Sequence, residues 1–122
     1  MKQIALLFIC VFSISCKKET NEPFGKSVAK TPAELGKELF EGKGNCIACH
    51  LQDQKVIGPS IQDIAKAYKA QNGNIVSFLK EEAEPIIDPS QYEVMKANFA
   101  ITKAMTDEEL KAIAQYIYSQ GL

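Results

Sequence analysis

The chain has 122 residues, of which 46% are hydrophobic and 24% are charged, a composition typical of one modest globular domain. The formal net charge is −1, and from residue 31 onward 13 acidic residues accompany nine lysines, so a nucleic-acid-binding surface is not expected. All 14 basic residues are lysines, and an anionic group bound by this chain therefore has no bidentate guanidinium available to it.

The first 30 residues are interpreted as an export signal followed by a tether. A lysine and an apolar run over residues 4–14 are typical of a secretory signal, since about 20 apolar residues are needed to span a bilayer. The sequence Ser-Ile-Ser-Cys at 13–16 resembles the lipobox of bacterial lipoproteins, although serine replaces the commonest first residue, leucine. The resemblance implies that residues 1–15 are removed and that Cys16 is lipidated. Ordinary cleavage nearby and an uncleaved short anchor are the alternatives.

Residues 16–30 form the predicted tether, because lysine, glutamate, asparagine, serine and glycine dominate them and leave too little apolar content to pack. The composition changes at Thr31, where the folded domain, residues 31–122, is predicted to begin. Thr31 and Glu34 form a capping box and Pro32 suits the first helical position, so a helix is predicted from Pro32 to about Glu41. Gly42 then ends it.

The pentapeptide Cys46-Ile47-Ala48-Cys49-His50 follows, and its histidine is the only one in the chain. Two thiols three positions apart can each add to a vinyl group of one haem while the adjacent imidazole reaches the iron. The motif therefore predicts one covalently bound haem c, with Cys46 and Cys49 attached to it and His50 as an axial iron ligand. A thioredoxin-like redox dithiol, a zinc site and a small-loop disulfide are the alternatives. Of the two other cysteines, Cys10 would leave with the signal.

Three more helices are predicted after this motif. Ser60 and Asp63 can cap one that runs to about Ala70, and another extends from Ile75 to about Ala83. The last runs from about Asp107 to Gln120 behind a second T-x-x-E capping box, while an irregular segment bounded by prolines 85 and 89 precedes it. No run of alternating strand-like residues is present. The predicted fold is all-α, with about four short helices packed around the haem, whose apolar plate completes a thin core.

With these residues in place, the domain from Thr31 to Leu122 resembles the class I cytochromes c, which are single-haem electron carriers. The resemblance rests on a short helix before C-x-x-C-H, Gly58-Pro59 after it, a methionine far downstream and an aromatic-bearing last helix. It implies that the first and last helices cross closely, with Gly36 and Phe40 meeting Ile113 and Tyr116. It also implies that the Pro59 carbonyl accepts the second ring N–H of His50, a bond that orients such ligands.

The lone histidine excludes a second imidazole as the sixth iron ligand, and the resemblance implies a methionine there. Met105 directly precedes the Thr106 capping box and can pack on Leu110 as a hydrophobic staple, so a structural role accounts for it. Met95 lies between Pro89 and the last helix, in a stretch predicted to be irregular and free to direct a side chain at iron. Met95 is therefore the predicted ligand. Met105 is the alternative, and a vacant site or a lysine or asparagine ligand also stays open.

The expected function is electron transfer by one c-type haem on a periplasm-facing membrane lipoprotein. The iron would alternate between two oxidation states without a small-molecule substrate, and a neutral thioether ligand would raise the potential. The expected partners are transient redox proteins such as an oxidase or a reductase, together with the membrane through the lipid anchor. The haem propionates would be held by lysine, tyrosine, asparagine, backbone or water. A haem enzyme or gas sensor with an open sixth site and a fixed haem subunit of a respiratory complex are the alternatives.

Overall fold

The computed structural model of this chain describes residues 29–121. The predicted signal peptide and the predicted lipidation site, Cys16, lie outside these residues. Within them the chain forms five α-helices: α1 (Pro32–Glu41), α2 (Ile61–Ala70), α3 (Ile75–Leu79), α4 (Tyr92–Thr102) and α5 (Asp107–Ser119). Two short 3₁₀ turns, Cys46–Ala48 and Pro89–Gln91, precede α2 and α4. No strand occurs among the described residues, and the predicted all-α fold is confirmed.

Capping boxes fix where α1 and α5 begin. Thr31 Oγ1 accepts the backbone N–H of Glu34, and the Glu34 carboxylate accepts the Thr31 N–H at 2.7 Å. The same reciprocal pair joins Thr106 and Glu109 at the start of α5. Each box satisfies backbone donors that a helix start leaves free, so both helices begin where the sequence predicts.

Helices α1 and α5 cross at a glycine. A Cβ placed on Gly36 would lie 1.9 Å from the carbonyl oxygen of Ala112 and 2.8 Å from Cβ of Tyr116. One turn further along α1, Phe40 packs edge-to-face on Tyr116 with ring centroids 5.4 Å apart. The predicted crossing is confirmed, with Ala112 rather than Ile113 as the residue nearest to Gly36.

The core lies between this helix pair and the shorter helices. Its least exposed side chains come from four helices: Phe40 from α1, Ala65 from α2, Phe99 and Thr102 from α4, and Leu110 and Ile113 from α5. Met105 is 7% exposed and belongs to the same buried cluster as Leu110, as a hydrophobic staple requires. Among the described helices, none is long and apolar enough to cross a bilayer.

Two predictions about the region before α5 are wrong. The third helix ends at Leu79 rather than near Ala83, because Glu81 takes a left-handed conformation with φ = 62°. Met95 does not lie in an irregular stretch but within α4, which continues directly from the Pro89–Gln91 turn. Helix α4 is fixed at its far end by Thr102, whose buried hydroxyl donates to the carbonyl oxygen of Leu79 at 2.6 Å.

Candidate haem site

The C-x-x-C-H segment forms a tight turn that gathers its three reactive side chains at one cavity. Asn45 enters it with φ = 50°, and the N–H groups of Cys49 and His50 both donate to the carbonyl oxygen of Cys46, at 3.1 and 3.0 Å. Cys46, Cys49 and His50 all line the same cavity. The turn therefore brings together the residues that the motif predicts for haem attachment.

The two thiols are free rather than joined by a disulfide. Burial raises the pKa of the Cys46 thiol to about 11, whereas redox dithiols depend on a lowered pKa that supplies the reactive thiolate. Cys46 is also buried, at 7% exposure. These properties disfavour the thioredoxin-like and disulfide interpretations and leave both sulfur atoms available for thioether bonds.

The His50 ring is oriented by a backbone carbonyl. Nδ1 lies 2.8 Å from the carbonyl oxygen of Pro59, and because a carbonyl only accepts, Nδ1 carries the proton and donates. Nε2 is then the nitrogen with a free lone pair. Burial lowers the pKa of His50, and the hydrogen bond to Pro59 opposes that change, so the ring is neutral near pH 7 as a metal ligand must be. The role of Pro59 toward bound haem stays a prediction.

Gly58 has a second role that the sequence did not reveal. The Gly-Pro pair indicated only a turn, but a Cβ on Gly58 would lie 2.3 Å from Cε1 and 2.7 Å from Nδ1 of His50. The backbone passes directly beside the imidazole, and only glycine leaves room for the ring. The Gly58 N–H also donates to the carbonyl oxygen of Cys49 at 2.9 Å, which closes the loop around the histidine.

The cavity has a volume of about 340 Å³, within the range of cofactor sites. Its lining is mainly apolar and comes from every helix of the domain and from the segment after α3; Ile64, Tyr68, Phe78, Ile86, Ile113 and Ile117 are among the residues that form it. Met95, half-buried on α4, also lines it, whereas Met105 packs in the core and is not part of the described lining. The structure thus places Cys46, Cys49, His50, Pro59 and Met95 around one space.

The polar groups at this cavity are mostly neutral. Asn45, Gln91, Tyr92 and Asn98 contribute to the lining, and Asp88 is the one carboxylate among its residues. Asn98 donates to the carbonyl oxygen of Gly44 at 3.1 Å, which joins α4 to the loop before Cys46. The predicted propionate partners remain lysine, tyrosine, asparagine, backbone or water, since the chain contains no arginine.

A mainly apolar cavity bordered by two free thiols and by a neutral, oriented imidazole fits a haem held by thioether bonds and iron coordination. The fold and the site therefore define a small all-α protein of the covalent haem class. Such a haem supplies one-electron chemistry, because its iron is stable in two oxidation states.

Comparison with known proteins agrees with this class. The family model for cytochrome c matches residues 33–121. Cytochrome c-551 from Pseudomonas aeruginosa is 31% identical over 91 residues, which cover 72% of this chain and 79% of that protein. Cytochrome c-551 from Pseudomonas denitrificans is 34% identical over 85 residues, covering 67% of this chain and 93% of that protein.

The chain belongs to the cytochrome c family. It binds one covalently attached haem c and transfers electrons through it. A shorter match, 48% identical over 40 residues, relates it to cytochrome c-552 from Nitrosomonas europaea and covers 33% of this chain and 34% of that protein.

Proposed function

We propose that this protein is an electron carrier whose haem iron is coordinated by His50 and Met95. The observation that carries the proposal is that both side chains line one apolar cavity, together with the two thiols that would hold the haem. With Nδ1 of His50 engaged by Pro59, Nε2 is the atom available to iron. A neutral thioether from Met95 would complete a six-coordinate site and favour Fe(II).

The choice of Met95 over Met105 rests on their surroundings. Met95 lies on α4 rather than in the irregular stretch that the sequence predicted, and two features of the structure support it as the ligand. Helix α4 borders the cavity through Tyr92, Met95 and Asn98, and Met105 is buried at 7% exposure in the core beside Leu110.

Carbon monoxide binding to the reduced protein separates the carrier from an enzyme or gas sensor. A carrier with both axial positions filled binds carbon monoxide slowly and weakly, because Met95 must first leave the iron. In Met95→Ala the sixth position opens and binding becomes fast, whereas Met105→Ala, the matched control, retains the slow reaction. Fast binding by the wild-type protein contradicts the carrier and supports an open-site haem protein.

The proposed location is the periplasmic face of a bacterial membrane, with residues 16–30 as a tether and Cys16 as the lipidated residue. This part of the proposal rests on the sequence alone. Mass spectrometry of the mature protein tests it, since a diacylglyceryl-modified N-terminal cysteine is expected at position 16. Cys16→Ser should release the cytochrome into the soluble fraction, and an unmodified mature N-terminus elsewhere contradicts the tether.

The proposed partners are redox proteins that dock briefly. From residue 31 onward the acidic residues outnumber the lysines by 13 to nine, and most lysines of the described region pair with a carboxylate, Lys43 with Glu109 and Lys80 with Asp107 among them. A large basic docking face is therefore not available. Weak, short-lived docking suits a carrier that must dissociate after each electron.

A further inference from the structure

Helix α4, which carries Met95, is joined to the rest of the domain by few polar contacts. Toward its C-terminal end, Thr102 donates to the Leu79 carbonyl at 2.6 Å and Lys103 pairs with Glu81 at 2.7 Å. Near its middle, Asn98 donates to the Gly44 carbonyl. The N-terminal end, where Met95 lies about one turn inside the helix, packs on Phe78 through Tyr92 and also has one polar contact.

That contact is the ion pair between Lys55 and Asp88. Across residues 29–121 it is the only polar side-chain contact that joins segment 85–97 to another part of the domain. Asp88 directly precedes the Pro89–Gln91 turn that continues into α4. Lys55 lies in the loop that follows His50, and its backbone forms an isolated antiparallel bridge with that histidine. The pair therefore connects the histidine side of the cavity with the methionine side.

The local structure fixes the Asp88 carboxylate for this contact. Its side chain is 17% exposed and lines the cavity. The Ser90 hydroxyl donates to it at 2.6 Å, and the residue itself adopts φ = 49°, a conformation that aspartate and asparagine accept more readily than most residues. The Lys55 ammonium and the Ser90 hydroxyl hold the pKa of this carboxyl below its usual value, so it is charged near pH 7.

We propose that Lys55 and Asp88 form a clasp across the cavity that holds the N-terminal end of α4 in place and thereby keeps Met95 on the iron. Both are positioning residues, since they act through Met95. The inference rests on the proposed function, because it requires Met95 to be the sixth ligand. When the clasp opens, the end of α4 is free to move and an external ligand can take the sixth position. The apparent affinity for that ligand therefore reports the open fraction.

The test is a spectroscopic titration of the oxidised holoprotein with imidazole. Lys55→Met removes the charge and keeps the length of the side chain, and Asp88→Asn keeps the shape and the backbone preference. Each variant is expected to bind imidazole about two- to fivefold more tightly than wild type, the range that an ion pair at a solvent-accessible site gives. The double variant should match the single ones, because the two changes remove the same contact. Lys103→Met breaks the ion pair at the other end of α4 and should leave the affinity unchanged.

Two results would overturn the clasp. One is unchanged imidazole affinity in both Lys55→Met and Asp88→Asn, and the other is an equal gain in Lys103→Met, which would indicate general loosening. Failure of the proposed function looks different. If Met95 is not the ligand, Met95→Ala keeps the wild-type spectrum and the wild-type imidazole affinity. If Met95 is the ligand but the clasp does not hold it, Met95→Ala changes both, while Lys55→Met and Asp88→Asn leave the imidazole affinity unchanged.

Discussion

Replacing Gly36 by alanine tests the helix crossing on which the domain is built. Helix propensity alone predicts a gain of about 1 kcal/mol, because alanine is the better helix former. The structure predicts the opposite sign. The new Cβ would lie 1.9 Å from a backbone oxygen of α5, where ordinary contact begins at 3.4 Å, so the helices would have to separate by roughly 1.5 Å at that point.

The expected loss of unfolding free energy follows from what the new methyl group would contact. Overpacking costs about 1–3 kcal/mol, and the upper end applies because the clash is with the Ala112 carbonyl rather than with a flexible side-chain tip. After the propensity gain, the net loss is about 2 kcal/mol. In a domain of this size that lowers Tm by roughly 10 °C.

Urea unfolding of the holoprotein, followed by far-ultraviolet circular dichroism, measures this loss. Lys37→Ala is the matched control, since it introduces the same residue at the next position of α1 on a side chain that is 58% exposed. Its free energy of unfolding should stay within about 0.5 kcal/mol of wild type. A Gly36→Ala protein as stable as wild type, or more stable, would refute the close crossing.

Three further predictions concern the site and its support. Gly58→Ala places a Cβ 2.3 Å from the His50 ring, so the holoprotein should lose about 1–3 kcal/mol of unfolding free energy and show a shifted Soret band. Thr102→Val removes a buried hydroxyl that donates at 2.6 Å and should cost about 1–3 kcal/mol in urea unfolding, while Thr102→Ser should cost less. The hydrogen bond from Lys43 lowers the pKa of Glu109 in the folded protein. The stability that this pair contributes is therefore fully present above the unfolded carboxyl pKa of about 4.3, and it is lost as the pH falls through the lower pKa of the folded state. Urea unfolding between about pH 5 and pH 3 should therefore decline more gently in Glu109→Gln than in wild type.

Each of these has a contradicting result. An unperturbed Soret band in Gly58→Ala would mean that the loop can shift away from the ring. Equal stability of Thr102→Val and wild type would mean that the hydroxyl bond contributes nothing. Parallel pH curves for Glu109→Gln and wild type would mean that the carboxylate titrates alike in the folded and unfolded chain.

The capping boxes explain why α1 and α5 were predictable. Thr31 and Thr106 fix the helix starts through local hydrogen bonds that the sequence alone specifies. Helix α4 has no such signal, because Gln91 makes no side-chain capping bond. Much of its inner face borders the haem cavity rather than polypeptide, so its apolar residues do not form the stripe that a helix packed on protein would require.

The features of the site also differ in how far the sequence predicts them. Cys46, Cys49 and His50 lie within one pentapeptide, and the chemistry of haem attachment requires their spacing, so the sequence alone predicts them as a group. The passage of Gly58 beside the imidazole and the clasp between Lys55 and Asp88 depend on how distant loops approach each other. No local pattern encodes such approaches, and they became visible only in the folded domain.

The near-infrared spectrum of the oxidised protein tests the central claim, His50 and Met95 as axial ligands, most directly. A methionine-to-iron charge-transfer band is expected in wild type and in Met105→Ala, which should lose about 2–5 kcal/mol of stability through its core cavity while keeping the band. The band should disappear in Met95→Ala. A wild-type protein without the band, or a band that survives in Met95→Ala and vanishes in Met105→Ala, would contradict the account.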